Sequence, residues 1–228
     1  QFTPDQDFIV KPQSAIHGLR HANLVLARVK PKLQNRKQAL PGVLVLFDTS
    51  ASRAAGFKQQ VQRLGALVAA LRKAHGDSLR VQVACFDQVI DRIYEGAASG
   101  FGPKHLERIL TRRALGASDL HGALRWAATQ KGAKRLLLIT DGVRTAGNTE
   151  SDRLRLAAMA LKPTYQRLDV VAVGGIRDDA LLKRLARGNL GEDGVVLDGE
   201  LPVATLASRL GRTTRSGLAV SVAGARWV

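Results

Sequence analysis

Short unbroken apolar runs recur along this chain, and between them lie segments whose apolar positions repeat every three or four residues. Val43 to Phe47 and Leu136 to Ile139 are unbroken runs, and Leu79 to Phe86 and Leu168 to Val173 read as further strands. Runs of this length suit central strands of a parallel sheet, covered on both faces. Phe57, Val61, Leu64, Leu67, Val68 and Leu71 keep helical spacing up to His75-Gly76, and Leu120, Ala123, Leu124 and Ala127 keep it within Asp119 to Thr129. Further helices are predicted at about 104–111, at 151–161 with Pro163 closing it, at 179–187 and at 202–210. Residues 88–94 read as an edge hairpin partner, 96–103 as a glycine-rich loop and 195–197 as a last strand. Such alternation predicts an α/β fold: a doubly wound, mostly parallel central sheet with helices on both faces.

The two ends of the chain break that rhythm. Asp7 to Lys11 and Ala22 to Val29 read as short strands, and Pro31, Pro41 and the polar stretch Lys32 to Gln38 mark a boundary. Residues 211–228, notably Leu218 to Val222, return to a strand-like pattern and are expected to join the N-terminal strands in a small β appendage. The expected organisation is a β-rich segment 1–40, a principal domain 41–210 and an extension 211–228. Because the chain opens on Gln1, it is expected to be a piece of something longer.

Candidate chemistry sits at two strand ends. The first strand runs into Asp48-Thr49-Ser50-Ala51-Ser52, and the second, which ends in Thr140, into Asp141-Gly142. In an open α/β sheet, side chains just past the carboxyl ends of adjacent strands converge on one crevice. Two carboxylates and two serines delivered there form an oxygen-only cluster, suited to a hard divalent cation and above all to Mg²⁺.

At these residues the chain resembles the von Willebrand factor type A domain, whose metal-ion-dependent adhesion site carries a D-x-S-x-S motif. Asp48, Ser50 and Ser52 match that motif, Gly116-Ala117-Ser118-Asp119-Leu120 occupies the position of the family's threonine loop, and Asp141-Gly142 that of its last element. Residues 83–89 and 171–185 look like other landmarks of the family, and the resemblance spans about 41–210. It implies a site built from Asp48, Ser50, Ser52, Ser118 and Asp141, holding Mg²⁺ (or Mn²⁺ or Ca²⁺). Ser50 and Ser52 would ligate directly, and Asp48 and Asp141 mostly through water. One coordination position would remain for a Glu or Asp carboxylate of a protein partner, so the implied role is a non-enzymatic adhesion or assembly module. Two departures stand out: Ser118 replaces the usual threonine, and Ala51 stands where glycine is common. Residues 1–40 are similar to the tail of a VIT domain, which favours the cell envelope or the extracellular space.

Four neighbours of the motif, Arg53, Asp119, His121 and Arg144, are candidates for a rim around the ligand position, the basic ones favouring an acidic peptide. Composition adds a competing reading. Lys and Arg total 35 against 19 Asp and Glu, a formal charge of +16 that could steer the domain to nucleic acid or an anionic surface. The basic residues are scattered, however, and aromatics, which would stack bases, make up only 4% of the chain. An Mg²⁺-dependent hydrolase is a weaker alternative: no Asp lies two residues after Asp48, no phosphate-cradling lysine motif exists, and no Ser–His pairing shows in the spacing. No stretch approaches the roughly 20 apolar residues of a membrane span. Cys85 sits in an apolar strand, and a single thiol forms no internal disulfide. His17 and His21 are expected in a loop, Asp87 in a hairpin turn, Asp178-Asp179 at a helix start, and Gly174-Gly175 where a strand ends.

Overall fold

The computed structural model describes residues 18–22, 24–27 and 36–215. Its contacts fall into two units, residues 1–34 and 35–228. In the first, β1 (Gly18–His21) and β2 (Leu24–Ala27) form an antiparallel hairpin. Ala22 turns the chain there at φ +49°, in the left-handed region. β2 lies inside the strand expected over 22–29, whereas His21, expected in a loop, is the last residue of β1. His17 and the strands expected at 7–11 and 218–222 lie outside the described residues, as does the C-terminal share of the expected appendage.

In the second unit the described strands are β3 (Gly42–Asp48), β4 (Arg80–Phe86), β5 (Ile90–Ala97), β6 (Arg135–Thr140), β7 (Arg167–Ala172) and β8 (Val196–Asp198). They form one sheet in the order β5-β4-β3-β6-β7-β8, in which only the edge strand β5 runs antiparallel to its neighbour. The helices are α1 (Phe57–His75), α2 (Pro103–Arg112), α3 (Leu120–Thr129), α4 (Ser151–Met159), α5 (Asp179–Ala186) and α6 (Val203–Leu210). None of the described helices is long and apolar enough to cross a membrane.

The two-residue period of a strand sorts the apolar runs between two cores. Val43, Val45 and Phe47 of β3 join Leu137 and Ile139 of β6 beneath α1, α2 and α6. Leu44 and Leu46 join Leu136 and Leu138 beneath α3, α4 and α5. A one-residue slip would exchange the two faces, so burial on both sides pins the register of the central strands. The stripe of α1 buries Val61, Leu64, Val68 and Leu71, and Gly76 closes that helix at φ +94°, a conformation glycine adopts without strain.

One stretch departs from expectation. The residues expected as a glycine-rich loop from 96 begin as strand, since β5 runs on to Ala97 and a 3-10 turn, Ala98–Gly100, follows. Tyr94 explains this: its phenol donates to the Ala97 carbonyl at 2.5 Å and fills the space that a Cβ on Gly96 or Gly100 would need. These glycines make room for a ring.

The amino ends of the central strands carry a buried ion cluster. Asp169 accepts from Arg135 Nη1 on Oδ2 and from Arg167 Nε on Oδ1, both at 2.7 Å. Gln38 Oε1 accepts from Arg135 Nη2 at 2.9 Å and Arg167 Nη1 at 3.2 Å, and Arg167 Nη1 also reaches the Arg212 carbonyl at 2.7 Å. The segments before β3 and after α6 meet here, with Gln38 N donating to Gly211 O and Thr213 N to Arg36 O, each at 2.9 Å.

At the opposite end, β3 lies between β4 and β6, and the chain leaves it toward one side of the sheet and returns on the other. That reversal is the topological switch point, where an α/β sheet opens a crevice beyond its strands. Asp48 is the last residue of β3, and Asp141 follows the last residue of β6.

Candidate metal centre

Asp48 organises the crevice. It is 1% exposed, and its Oδ1 accepts from the Ser50 amide at 2.9 Å, which bends the chain after β3. Its Oδ2 accepts from Ser118 Oγ at 3.3 Å and from Thr140 Oγ1 at 2.5 Å, residues 70 and 92 positions away. Ser50 Oγ and Ser52 Oγ lie 3.1 Å apart, Ser50 buried and Ser52 exposed. Asp141 is buried as well, with Oδ1 accepting from the Val143 amide at 2.8 Å. The five expected residues therefore gather at one strand-end crevice. Thr140, which sequence reasoning assigned only to the strand, is a sixth participant. Burial pushes the Asp48 carboxyl above the ordinary carboxylate range and nearby Asp141 adds to this, against the hydrogen bonds from Thr140 and Ser50.

Close backbone packing sets the loops. Ser50 and Gly116 form a parallel bridge, with Ala51 N donating to Gly116 O at 2.7 Å. A Cβ on Gly116 would lie 2.7 Å from the Asp87 side chain, so glycine permits this approach. Asp87 is in the β4–β5 turn as expected, yet it also braces the site: Oδ2 accepts from Thr49 Oγ1 at 3.2 Å, its carbonyl accepts from Asp119 N at 3.0 Å, and Arg112 pairs with it at 2.7 Å. Ser118 is fixed by Thr145, whose Oγ1 accepts from Ser118 N at 2.8 Å. Ala51 opens the 3-10 turn Ala51–Arg53 with a negative φ, so alanine serves where glycine is common.

The expected rim needs correction. Arg53 is not on the surface. It is 1% exposed, lies under α1 with Nη2 donating to Gln60 Oε1, and its Nη1 stands 3.9 Å from Asp141 Oδ2. Burial lowers its affinity for the proton, and Asp141, Asp48 and Glu200 restore part of it. A backward extension of the α1 stripe could have found it, since Arg53 precedes Phe57 and Val61 at four-residue steps. Asp119 caps α3 by accepting from Gly122 N at 2.8 Å. Arg144 donates to Asp178 Oδ2 and to the Thr149 carbonyl, both at 3.0 Å. Asp178 itself caps α5 through Leu181 N at 2.9 Å. His121 is half-buried in the first turn of α3.

Residues 42–192 match the von Willebrand factor type A domain. The chain belongs to this family. No curated protein matched it. Among solved structures, the type A domain is similar to an aerotolerance-related membrane protein from Bacteroides fragilis carrying multiple mutations to serine (15% identity, TM-score 0.52, 74% of this chain and 96% of that one). It is similar to the manganese-loaded TRAP protein of Plasmodium vivax (16%, 0.53, 79% and 77%). It also resembles proximal thread matrix protein 1 of the mussel byssus, solved with a zinc-occupied MIDAS motif (16%, 0.56, 77% and 48%). The chain thus spans about half the length of the mussel protein. At these identities the likenesses establish the fold.

The donor set of this type A domain fits a hard cation. Octahedral Mg²⁺ with ligands at about 2.1 Å sets neighbouring ligand oxygens about 3.0 Å apart. Ser50 Oγ and Ser52 Oγ, 3.1 Å apart, have that spacing already. Among the described residues no group of three or more His, Cys, Asp or Glu side chains gathers, so two carboxylates and neutral hydroxyls would hold the ion.

Proposed function

We propose that this type A domain is a non-enzymatic, divalent-cation-dependent protein-binding module that recognises an acidic residue of its partner through a bound Mg²⁺, with Mn²⁺ or Ca²⁺ as alternatives. The observation that carries the reading is the convergence of Ser118 and Thr140 on one oxygen of Asp48, beside the Ser50–Ser52 pair. Hydroxyls are neutral ligands, so a dication held by them would retain positive charge toward an incoming carboxylate. Ser118 donates to the Asp48 carboxylate and Ser50 and Ser52 pair with each other, with no histidine or lysine in these contacts. A Ser–His type activation therefore finds no support, and binding is favoured over nucleophilic catalysis.

The loops on this face supply a protein-like rim. Val89, Leu115 and Ile176 are 62%, 73% and 83% exposed, and they sit in the β4–β5 turn, the loop before Ser118 and the loop after β7. Exposed apolar side chains around a polar centre suit a protein partner whose carboxylate is flanked by apolar residues. A setting at the cell envelope or outside the cell accords with this reading, as does the membrane protein among the structural relatives.

The test is capture of partners from native extract with and without EDTA, paired with a calorimetric Mg²⁺ and Mn²⁺ titration of the chain. The expected result is saturable metal binding, capture lost in EDTA and restored by either ion, and loss of both in Asp48→Ala. Capture indifferent to EDTA but weakened steeply by salt would move the function to the basic surface. Turnover of a phosphate ester would make the domain an enzyme.

A further inference from the structure

Arg53 is not explained by metal coordination. Its Nη1 is buried with no hydrogen-bond partner and stands 3.9 Å from Asp141 Oδ2, an ion contact without a hydrogen bond. The space it occupies is made by the backbone. Gly174, at φ +98°, lies so close that a Cβ there would come within 2.5 Å of Nη1. Gln60 holds the other arm of the guanidinium. The fold thus builds a cradle for a fixed positive charge in the wall of a carboxylate site, and arginine keeps its charge throughout the physiological range.

Charge balance gives the cradle a consequence. Asp48 and Asp141 together carry two negative charges, which a divalent cation alone would cancel. With Arg53 in the wall the sum of the buried groups before metal is one negative charge, and a divalent cation overshoots to one positive. Glu200 also acts on Arg53, but from an exposed, solvent-screened position. A partner carboxylate then restores neutrality. In a site so withdrawn from water, net charge weighs heavily, because solvent screens it poorly.

We propose, resting on the metal-dependent reading above, that Arg53 is a resident counter-cation that weakens the bare domain's hold on the divalent ion and makes tight metal binding depend on an acidic ligand. Metal and carboxylate then bind cooperatively, each raising the affinity of the other by the same factor. The domain engages its metal fully only when its partner arrives, and Arg53 is the residue that sets this coupling.

The test is calorimetric titration of Mn²⁺ into the wild-type chain and Arg53→Met, each with and without saturating acetate as the carboxylate probe. Wild type should bind Mn²⁺ at least about fivefold more tightly with acetate than without. Arg53→Met should bind Mn²⁺ alone at least about tenfold more tightly than wild type and gain less than about twofold from acetate. Equal metal affinities, or an undiminished acetate effect in the variant, would overturn the role of Arg53 and leave the metal site standing. Failure of both proteins to bind Mn²⁺ under either condition would instead remove the metal reading, and this proposal with it. If circular dichroism shows Arg53→Met unfolded, Gln60→Glu carries the test. A carboxylate at 60 draws the guanidinium charge to itself, so Mn²⁺ affinity should rise at least about threefold, and an unchanged affinity overturns the proposal.

Discussion

The two ends of the central sheet bury charge in opposite ways. At the amino ends, two arginines share one aspartate, and both oxygens of Asp169 take a guanidinium hydrogen at 2.7 Å. Gln38 and two backbone carbonyls, those of Leu210 and Arg212, absorb further donors. At the carboxyl ends, two aspartates share one arginine that hydrogen-bonds neither of them, and Asp48 accepts only from neutral hydroxyls and an amide. The first arrangement is met almost wholly by protein groups: Arg167 Nη2 is the one buried guanidinium nitrogen there without a hydrogen bond, and it still stands 2.7 Å from Asp169 Oδ1 as an ion pair. The second leaves negative charge and hydroxyl oxygens aimed at one point. A buried ionic cluster that is complete serves structure, and one that is incomplete in protein groups alone is built for a ligand.

The sharpest way to break this contrast is to open the closed end. Asp169→Ala would leave Arg135 and Arg167 buried without their shared counter-charge. The expected loss is about 3–5 kcal/mol, read as a lowered urea midpoint, because removing one partner of a buried pair strands the other. Metal binding by whatever folded fraction remains should be unchanged. At the other end, Asp48→Asn should do the reverse. The metal-free protein should lose less than about 1.5 kcal/mol, since a buried charge disappears and the surrounding hydroxyls can turn to meet the amide. The rise in melting temperature on adding Mn²⁺ should vanish. A large stability loss in Asp48→Asn without metal would show that both ends are structural.

The contrast also shows what a sequence reveals. Asp48 and Asp141 were legible because each ends an unbroken apolar run, and fold topology places such ends together. Ser118 was legible through its resemblance to a family loop, since no local period marks it. Thr140 was hidden by its place inside the strand, although a threonine just before Asp141 carries a hydroxyl of the right parity. Arg53 was read as part of a rim around the ligand position, and Arg135 and Arg167 only as members of a scattered basic excess, yet all three are buried. Their burial depends on partners 34 to 97 positions away in the cases of Arg135–Asp169 and Arg135–Gln38, and no local pattern carries such distances. A partial signal existed: Arg167 and Asp169, two apart in β7, share one face of the strand. The +16 charge therefore overstates the freely solvated basic surface.

The smallest expected effect tests how closed the amino end is. His75, at the end of α1, keeps a buried Nε2 with no hydrogen-bond partner, in a pocket it shares with Lys37, Lys73 and Arg212. Burial lowers its proton affinity below the ordinary histidine value, and Arg135 lowers it further. A group depressed in the folded state is protonated first in the unfolded chain. Stability is thus intact above the unfolded pKa of about 6.5 and declines as pH falls through it, levelling once the folded ring also takes its proton. The ring is part-exposed and solvent screens it, so the decline should stay below about 1 kcal/mol. His75→Gln should flatten that segment of the curve when urea midpoints are compared between pH 8 and 5 (about one and a half units either side of the unfolded value). A curve that keeps its slope in the variant would take the acid sensitivity away from His75 and leave the amino end insensitive to pH as well as to metal; Asp48 could not supply it, because a carboxyl that burial raises in the folded state adds stability as pH falls.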